Sequence, residues 1–138
     1  MAELILARSG VKRPGHVSSG AMSGDGDSVV VVGDVYTLAG RRDDVIALLR
    51  DTQERVRPQP GCVSFSFAEV VGDPGHYLVV EEWSDDAALR THFRSDAFTS
   101  YQQNVGELLA RPSEVRIHRV SETTRPVDSG PLDPRRAD

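Results

Sequence analysis

Residues 60–83 read PGCVSFSFAEVVGDPGHYLVVEEW, and the fold turns on this stretch. Val63, Phe65 and Phe67 alternate with Ser64, Ser66 and Ala68, the period of two that gathers apolar side chains on one face of a pleated strand. That strand is expected to run to about Val71. Gly72-Asp73-Pro74-Gly75 then supplies turn chemistry, since proline fixes its own φ while glycine and aspartate accept tight backbone geometry. From His76 to Trp83 the side chains are again mostly β-branched, aromatic or aliphatic. The two strands are therefore expected to pair as a hairpin.

Working outward, Val29 to Val32 followed by Val35, Tyr36 and Leu38 reads as a first strand, ended by Gly40. Residues 41–56 place Val45, Leu48, Leu49, Thr52 and Val56 on one helical face, with Arg42, Asp43, Arg50, Asp51 and Glu54 elsewhere. Pro58 and Pro60 stop this helix. Beyond the hairpin, Ser84 is the expected cap of a helix whose first turn carries Asp85 and Asp86 and whose inner face holds Leu89, His92 and Phe93. Ser95 is the expected cap of a second piece with Phe98, Tyr101, Val105 and Leu108 three and four apart, closed by Pro112. Glu114 to Val120 completes the set as a strand. The order β-α-β-β-α-β predicts an α+β, ferredoxin-like sandwich with its helices on one face of the sheet. The other face would be polar in a monomer. Val29–Val32 and Leu78–Val80 are instead apolar on both sides of the pleat, so a homodimer packed sheet against sheet is expected.

Glycine and serine crowd residues 9–28, and Pro126, Pro131 and Pro134 stand among few apolar side chains after residue 120. The expected division is thus a domain at 28–120 between flexible tails at 1–27 and 121–138. Asp25-Gly26-Asp27 looks like the start of a calcium loop but lacks the glutamate that closes one. With 38% hydrophobic residues the domain has enough for a modest core. The net charge is −5 and the basic residues, fifteen arginines and Lys12, are scattered, so neither nucleic acid nor an anionic membrane is an expected partner. No apolar run is long enough to span a bilayer, and the opening MAELILAR is too short for a secretory core. A cytoplasmic location is expected. Cys62 is the single cysteine; no basic neighbour lies close in sequence, so it reads as a small buried residue rather than a nucleophile.

Phosphate-loop, nucleophile-elbow and dinucleotide-fingerprint motifs are missing, and His16, His76, His92 and His118 show no zinc spacing. No metal is expected. Of the histidines only His92 falls on the inner face of a helix, where it serves either as a hydrogen-bonded core residue or in chemistry. Glu81 reads as an inward carboxylate with a perturbed pKa or as half of an ion pair with arginine. Trp83, Phe98, Tyr101, Tyr36, Phe65 and Phe67 are core aromatics or the walls of a cavity.

The segments QPGCVSFSF, HYLVVEEWSDDAALRTHF and RSDAFTSYQQ resemble, in this order, the antibiotic biosynthesis monooxygenase family. The resemblance is carried by Pro60-Gly61-Cys62 leading into the second strand, Glu81 and Trp83 as E-x-W, Ala88, Leu89 and His92 as A-L-x-x-H, and Ser95 and Phe98 as S-x-x-F. It covers about residues 28–120. It implies a dimeric α+β barrel with a cavity between sheet and helices in each protomer. It also implies oxidation of a small aromatic, polyketide-type or quinol substrate by molecular oxygen without flavin, haem or metal. Haem-degrading relatives carry a tryptophan at the position of His92 and a histidine at that of Gln102, so the resemblance does not extend to their reaction. On this reading His92 is the catalytic base, Trp83 or Tyr101 donates a hydrogen bond to a substrate oxygen, and Tyr36, Phe65, Phe67, Glu81 and Phe98 bind the hydrophobic ligand. The alternative is a non-catalytic dimeric module that binds a small molecule.

Overall fold

The computed structural model describes residues 27–125. The expected tails fall outside the described residues at 1–26 and 126–138. The described chain runs β1 (Ser28–Tyr36), α1 (Arg42–Val56), β2 (Cys62–Glu69), β3 (His76–Trp83), α2 (Asp86–Phe93), α3 (Asp96–Val105) and β4 (Glu114–Val120), with a 3-10 turn at Gly106–Leu108. The sheet order is β2-β3-β1-β4 and each neighbouring pair is antiparallel. This is the ferredoxin-like α+β arrangement expected from the element order. Among the described residues no helix is long and apolar enough to cross a membrane.

The pleat sorts the side chains. Val29, Val31 and Val35 of β1 and Tyr77, Val79, Glu81 and Trp83 of β3 are buried under the helices. Val45, Leu49, Thr52 and Val56 of α1, Leu89 and His92 of α2, and Ala97, Phe98 and Val105 of α3 meet them. Val30, Val32, Leu78 and Val80 take the opposite face, half-buried apart from Val80 at 42% exposure.

Local details depart from the sequence reading. Cys62 pairs with Trp83 and Ser64 with Glu82, so Val63 is the extra residue of a bulge. The parity of β2 flips there, and Val63 is 58% exposed rather than facing the core with Phe65 and Phe67. The strand stops at Glu69 rather than Val71, because the Val70 carbonyl accepts from the Asp73 amide at 3.2 Å and the chain is already turning. Ser84 does not cap α2. Its amide donates to the Gly61 carbonyl at 2.8 Å, and Asp85 is the cap, with extended backbone and its carboxylate accepting from the Ala88 amide at 2.8 Å.

The loop between α1 and β2 matters most for the site. Pro58 and Pro60 restrict the chain on either side of Gln59, whose amide donates to the Val56 carbonyl at 2.9 Å and whose carbonyl accepts from the Cys62 amide at 3.0 Å. Gly61 has φ +83°, and a Cβ there would stand 2.4 Å from that of Ala88. Only glycine permits both this backbone and this approach to α2.

Candidate functional site

β1 and β3 form the floor of a cavity roofed by α2 and α3. Its volume is about 50 Å³, and its lining is almost entirely apolar: Phe65, Phe67, Val79, Phe93 and Phe98 with a few polar groups between them. Those polar groups are Glu81 from β3, His92 from α2, Tyr101 from α3, Thr52 from α1 and Ser113 before β4. Gly33, facing inward in mid-strand, provides the space: a Cβ there would lie 2.9 Å from Val79 Cγ1.

His92 is buried, with its ring stacked on Trp83 at a centroid distance of 4.7 Å and 28° between planes. Phe98 and Phe65 approach it at 5.2 and 5.8 Å. Its Nδ1 lies 2.9 Å from Gln59 Oε1. A carboxamide oxygen only accepts, so Nδ1 carries the proton and Nε2 keeps its lone pair. Burial pushes the imidazole pKa down to about 4. The ring is therefore a neutral base at ordinary pH.

Glu81 is buried beside it, and no arginine among the described residues pairs with it. Its Oε1 accepts from Trp83 Nε1 at 2.8 Å, but burial outweighs that bond and lifts the carboxyl pKa to about 7. His92 Nε2 stands 3.9 Å from Glu81 Oε1. That separation would suit a loose ion pair, yet it is too long for a hydrogen bond and burial drives both groups toward their neutral forms. The pair is therefore an acid and a base side by side rather than a salt bridge. The Tyr101 hydroxyl is held protonated by burial and by the Glu81 charge.

His92, Glu81, Tyr101, Phe65, Phe67 and Phe98 thus share one cavity. Trp83 and Tyr36 do not line it. Trp83 is sealed beneath His92 and its single donor is committed to Glu81, so it has no hydrogen bond to give a substrate oxygen. Tyr36 lies on the opposite face of the sheet, stacked on His76 at 4.5 Å with Arg111 3.6 Å over its ring. His76 in turn bridges Asp34 at 2.7 Å and Asp73 at 2.8 Å. Cys62 is half-buried and its thiol pKa is raised, chiefly by burial. Gln59, missed as a functional residue, belongs to the site through its bond to His92. Its only sequence signal was its place in the QPGC segment. Among the described residues no three His, Cys, Asp or Glu side chains are grouped to hold a metal ion.

A family model described as antibiotic biosynthesis monooxygenase matches residues 28–104. The uncharacterized protein sll1783 of Synechocystis is 33% identical over 102 residues, which is 74% of this chain and 69% of the relative. YcnE of Bacillus subtilis, provisionally named a monooxygenase, is 24% identical over 59% of this chain and 86% of its own length. Among solved structures, Rv0793 from Mycobacterium tuberculosis superposes with a TM-score of 0.66 at 26% identity, covering 71% of this chain and 99% of that one.

Proposed function

The chain belongs to the antibiotic biosynthesis monooxygenase family, and from that premise we propose that it oxidises an electron-rich phenol, quinol or polyketide-type aromatic with molecular oxygen and no cofactor. The observation that carries this reading is the neutral imidazole of His92, its Nε2 unprotonated, lining an apolar cavity beside Glu81. Such a substrate needs three things from a protein: removal of a proton, exclusion of water, and a donor for the charge that builds on oxygen. His92 Nε2 takes the proton. The resulting anion gives one electron to dioxygen, and the two radicals combine in a carbon–oxygen bond to form a peroxide. Where the reacting carbon was a CH₂, loss of water from that peroxide leaves a carbonyl, so both hydrogens and one oxygen atom depart as water. Glu81 in its acid form and the Tyr101 hydroxyl are the donors on the cavity wall. Phe65, Phe67 and Phe98 supply apolar surface for the ring.

At about 50 Å³ the cavity suits dioxygen, whereas even benzene needs about 150 Å³. The reading therefore requires α2 and α3 to move off the sheet when an aromatic substrate binds. The same tightness favours the second reading, a dimeric module that holds only a small ligand and catalyses nothing.

We also propose that residues 28–120 suffice for folding and that the chain works as a homodimer joined through Val30, Val32, Leu78 and Val80, closing the α+β barrel.

The test is oxygen uptake by metal-free and flavin-free protein over a panel of hydroquinones and anthrone-like phenols. Uptake with a product bearing one oxygen atom from O₂ is expected, and His92→Ala should lower the single-turnover rate by about 10² to 10⁴ while the protein stays folded. No uptake across the panel, or an unchanged rate in that variant, counts against the reading.

A further inference from the structure

We infer that Gln59 is a positioning residue that fixes the tautomer of His92 and so decides which ring nitrogen keeps its lone pair. The inference rests on the proposed function for its catalytic meaning, though not for its physical test. An isolated neutral imidazole exchanges its proton between two nitrogens, and a base is useful only if the lone pair points at the substrate. Here the bond from Nδ1 to Gln59 Oε1, 2.9 Å long, commits the proton to the side away from Glu81, whose Oε1 is 3.9 Å from Nε2.

The loop that carries Gln59 is built to hold it. Its backbone is bonded on both sides, to Val56 and to Cys62, and lies between two prolines. Gly61 packs against Ala88 and accepts from the Ser84 amide. Ala88 and His92 are four residues apart on α2, hence on one helical face, so the loop docks along that face and meets it at both points. The choice of an amide over an acid also fits. A carboxylate in this place would accept the same hydrogen bond but would pull the ring toward the protonated form, which cannot act as a base.

Long-range proton–nitrogen correlation spectra of the full-length chain carrying ¹⁵N-histidine test this directly, with the His92 signals identified by their loss in His92→Gln. In the wild-type protein the proton should sit on Nδ1 from about pH 5.5 to 8; a proton on Nε2 would overturn the inference. Gln59→Leu should move the tautomer ratio toward the Nε2-protonated form by up to about tenfold, the worth of one hydrogen bond, and an unchanged ratio would overturn it equally. Gln59→Glu, which keeps the side-chain shape should the leucine variant fail to fold, should retain the Nδ1 proton and raise the His92 titration midpoint by about one pH unit or more. A midpoint that does not move again sinks the assignment. If the spectra behave as expected while no aromatic substrate is turned over, the positioning role stands and the monooxygenase reading falls.

Discussion

Glu81 and His92 sit side by side with shifts of opposite sign, so their contributions to stability run against each other as pH changes. The Glu81 pKa in the folded protein is about 7, above its ordinary 4.5, so between those values the folded chain holds a proton that the unfolded chain has released. Stability from this group is complete below about 4.5 and is lost as pH rises through 7. His92 behaves in reverse, with a folded value near 4 against an ordinary 6.5. Its contribution is complete above 6.5 and is lost as pH falls through 4. Each gap corresponds to on the order of 3 kcal/mol. From about 4.5 to 6.5 the two slopes oppose each other and nearly cancel. Glu81→Gln, which leaves the His92 slope unopposed, should therefore turn a nearly level urea midpoint into one that rises with pH between about 5 and 6.5; a variant midpoint as level as the wild type's over that range would contradict the burial argument. At this scale the sequence was legible wherever a period imposed direction. Alternation turned Phe65, Phe67 and Glu81 inward, and helical spacing turned His92, Phe98 and Tyr101 inward. The sequence does not show that Tyr36 faces away from the cavity, because Val30 and Val32 are as apolar as Val29 and Val31 and β1 offers no contrast between its faces. Trp83 was placed on the correct face, but alternation says nothing of depth, and it lies beneath the cavity. Gln59 was illegible as a partner of His92 because it stands outside any periodic segment and 33 residues away.

The elements themselves are legible to within about two residues, with β1 ending at Tyr36 rather than Leu38 and β2 at Glu69 rather than Val71. β3 and β4 begin and end where the pattern said, because each is bounded by a turn or a proline that nothing in the tertiary structure overrides. The cap of α2 lies one position later than the sequence pattern suggests. Ser84 and Asp85 are both good caps, and the contest is settled by the Gly61 carbonyl, which takes the Ser84 amide and sets the chain so that Asp85 reaches Ala88. Asp85→Ala should then cost about 1 kcal/mol, while Ser84→Ala should change the denaturant midpoint little. Equal losses in both variants would mean that the two residues share the cap. The bulge at Val63 escaped notice for a related reason: the letters alternate on through it, and only pairing with β3 reveals that one residue is extra. Its consequence is functional, since without the flip in parity Cys62 and Phe65 could not both approach the core cluster that supports Trp83 and the cavity floor.

For the whole molecule, the open face of the sheet sets the main demand. Val32 and Val80 stand opposite each other in the register, with Val30 and Leu78 nearby, and among the described residues no helix covers them. A rim of charged and polar side chains surrounds this patch: Glu82 and His118 flank Val30, Arg116 flanks Val32, and Asp34 with His76 closes the other end. An apolar centre inside a polar rim is the anatomy of a protein interface, and a twofold partner presents the same patch in return. Val80→Glu tests the homodimer at its most exposed point. The side chain is 42% exposed in the single chain, so a charge there should leave the monomer fold and its circular dichroism intact. In the dimer the same substitution buries two like charges near the axis and should raise the dissociation constant by about a hundredfold or more. Sedimentation of wild-type protein at micromolar concentration should give the dimer mass, and the variant should shift toward the monomer mass as it is diluted. A wild-type monomer under those conditions would remove the sheet-on-sheet interface. A variant that unfolds outright should be replaced by Val80→Thr, which keeps the β-branched shape and weakens association less, so that graded loss of dimer with retained secondary structure still separates an interface residue from a core one.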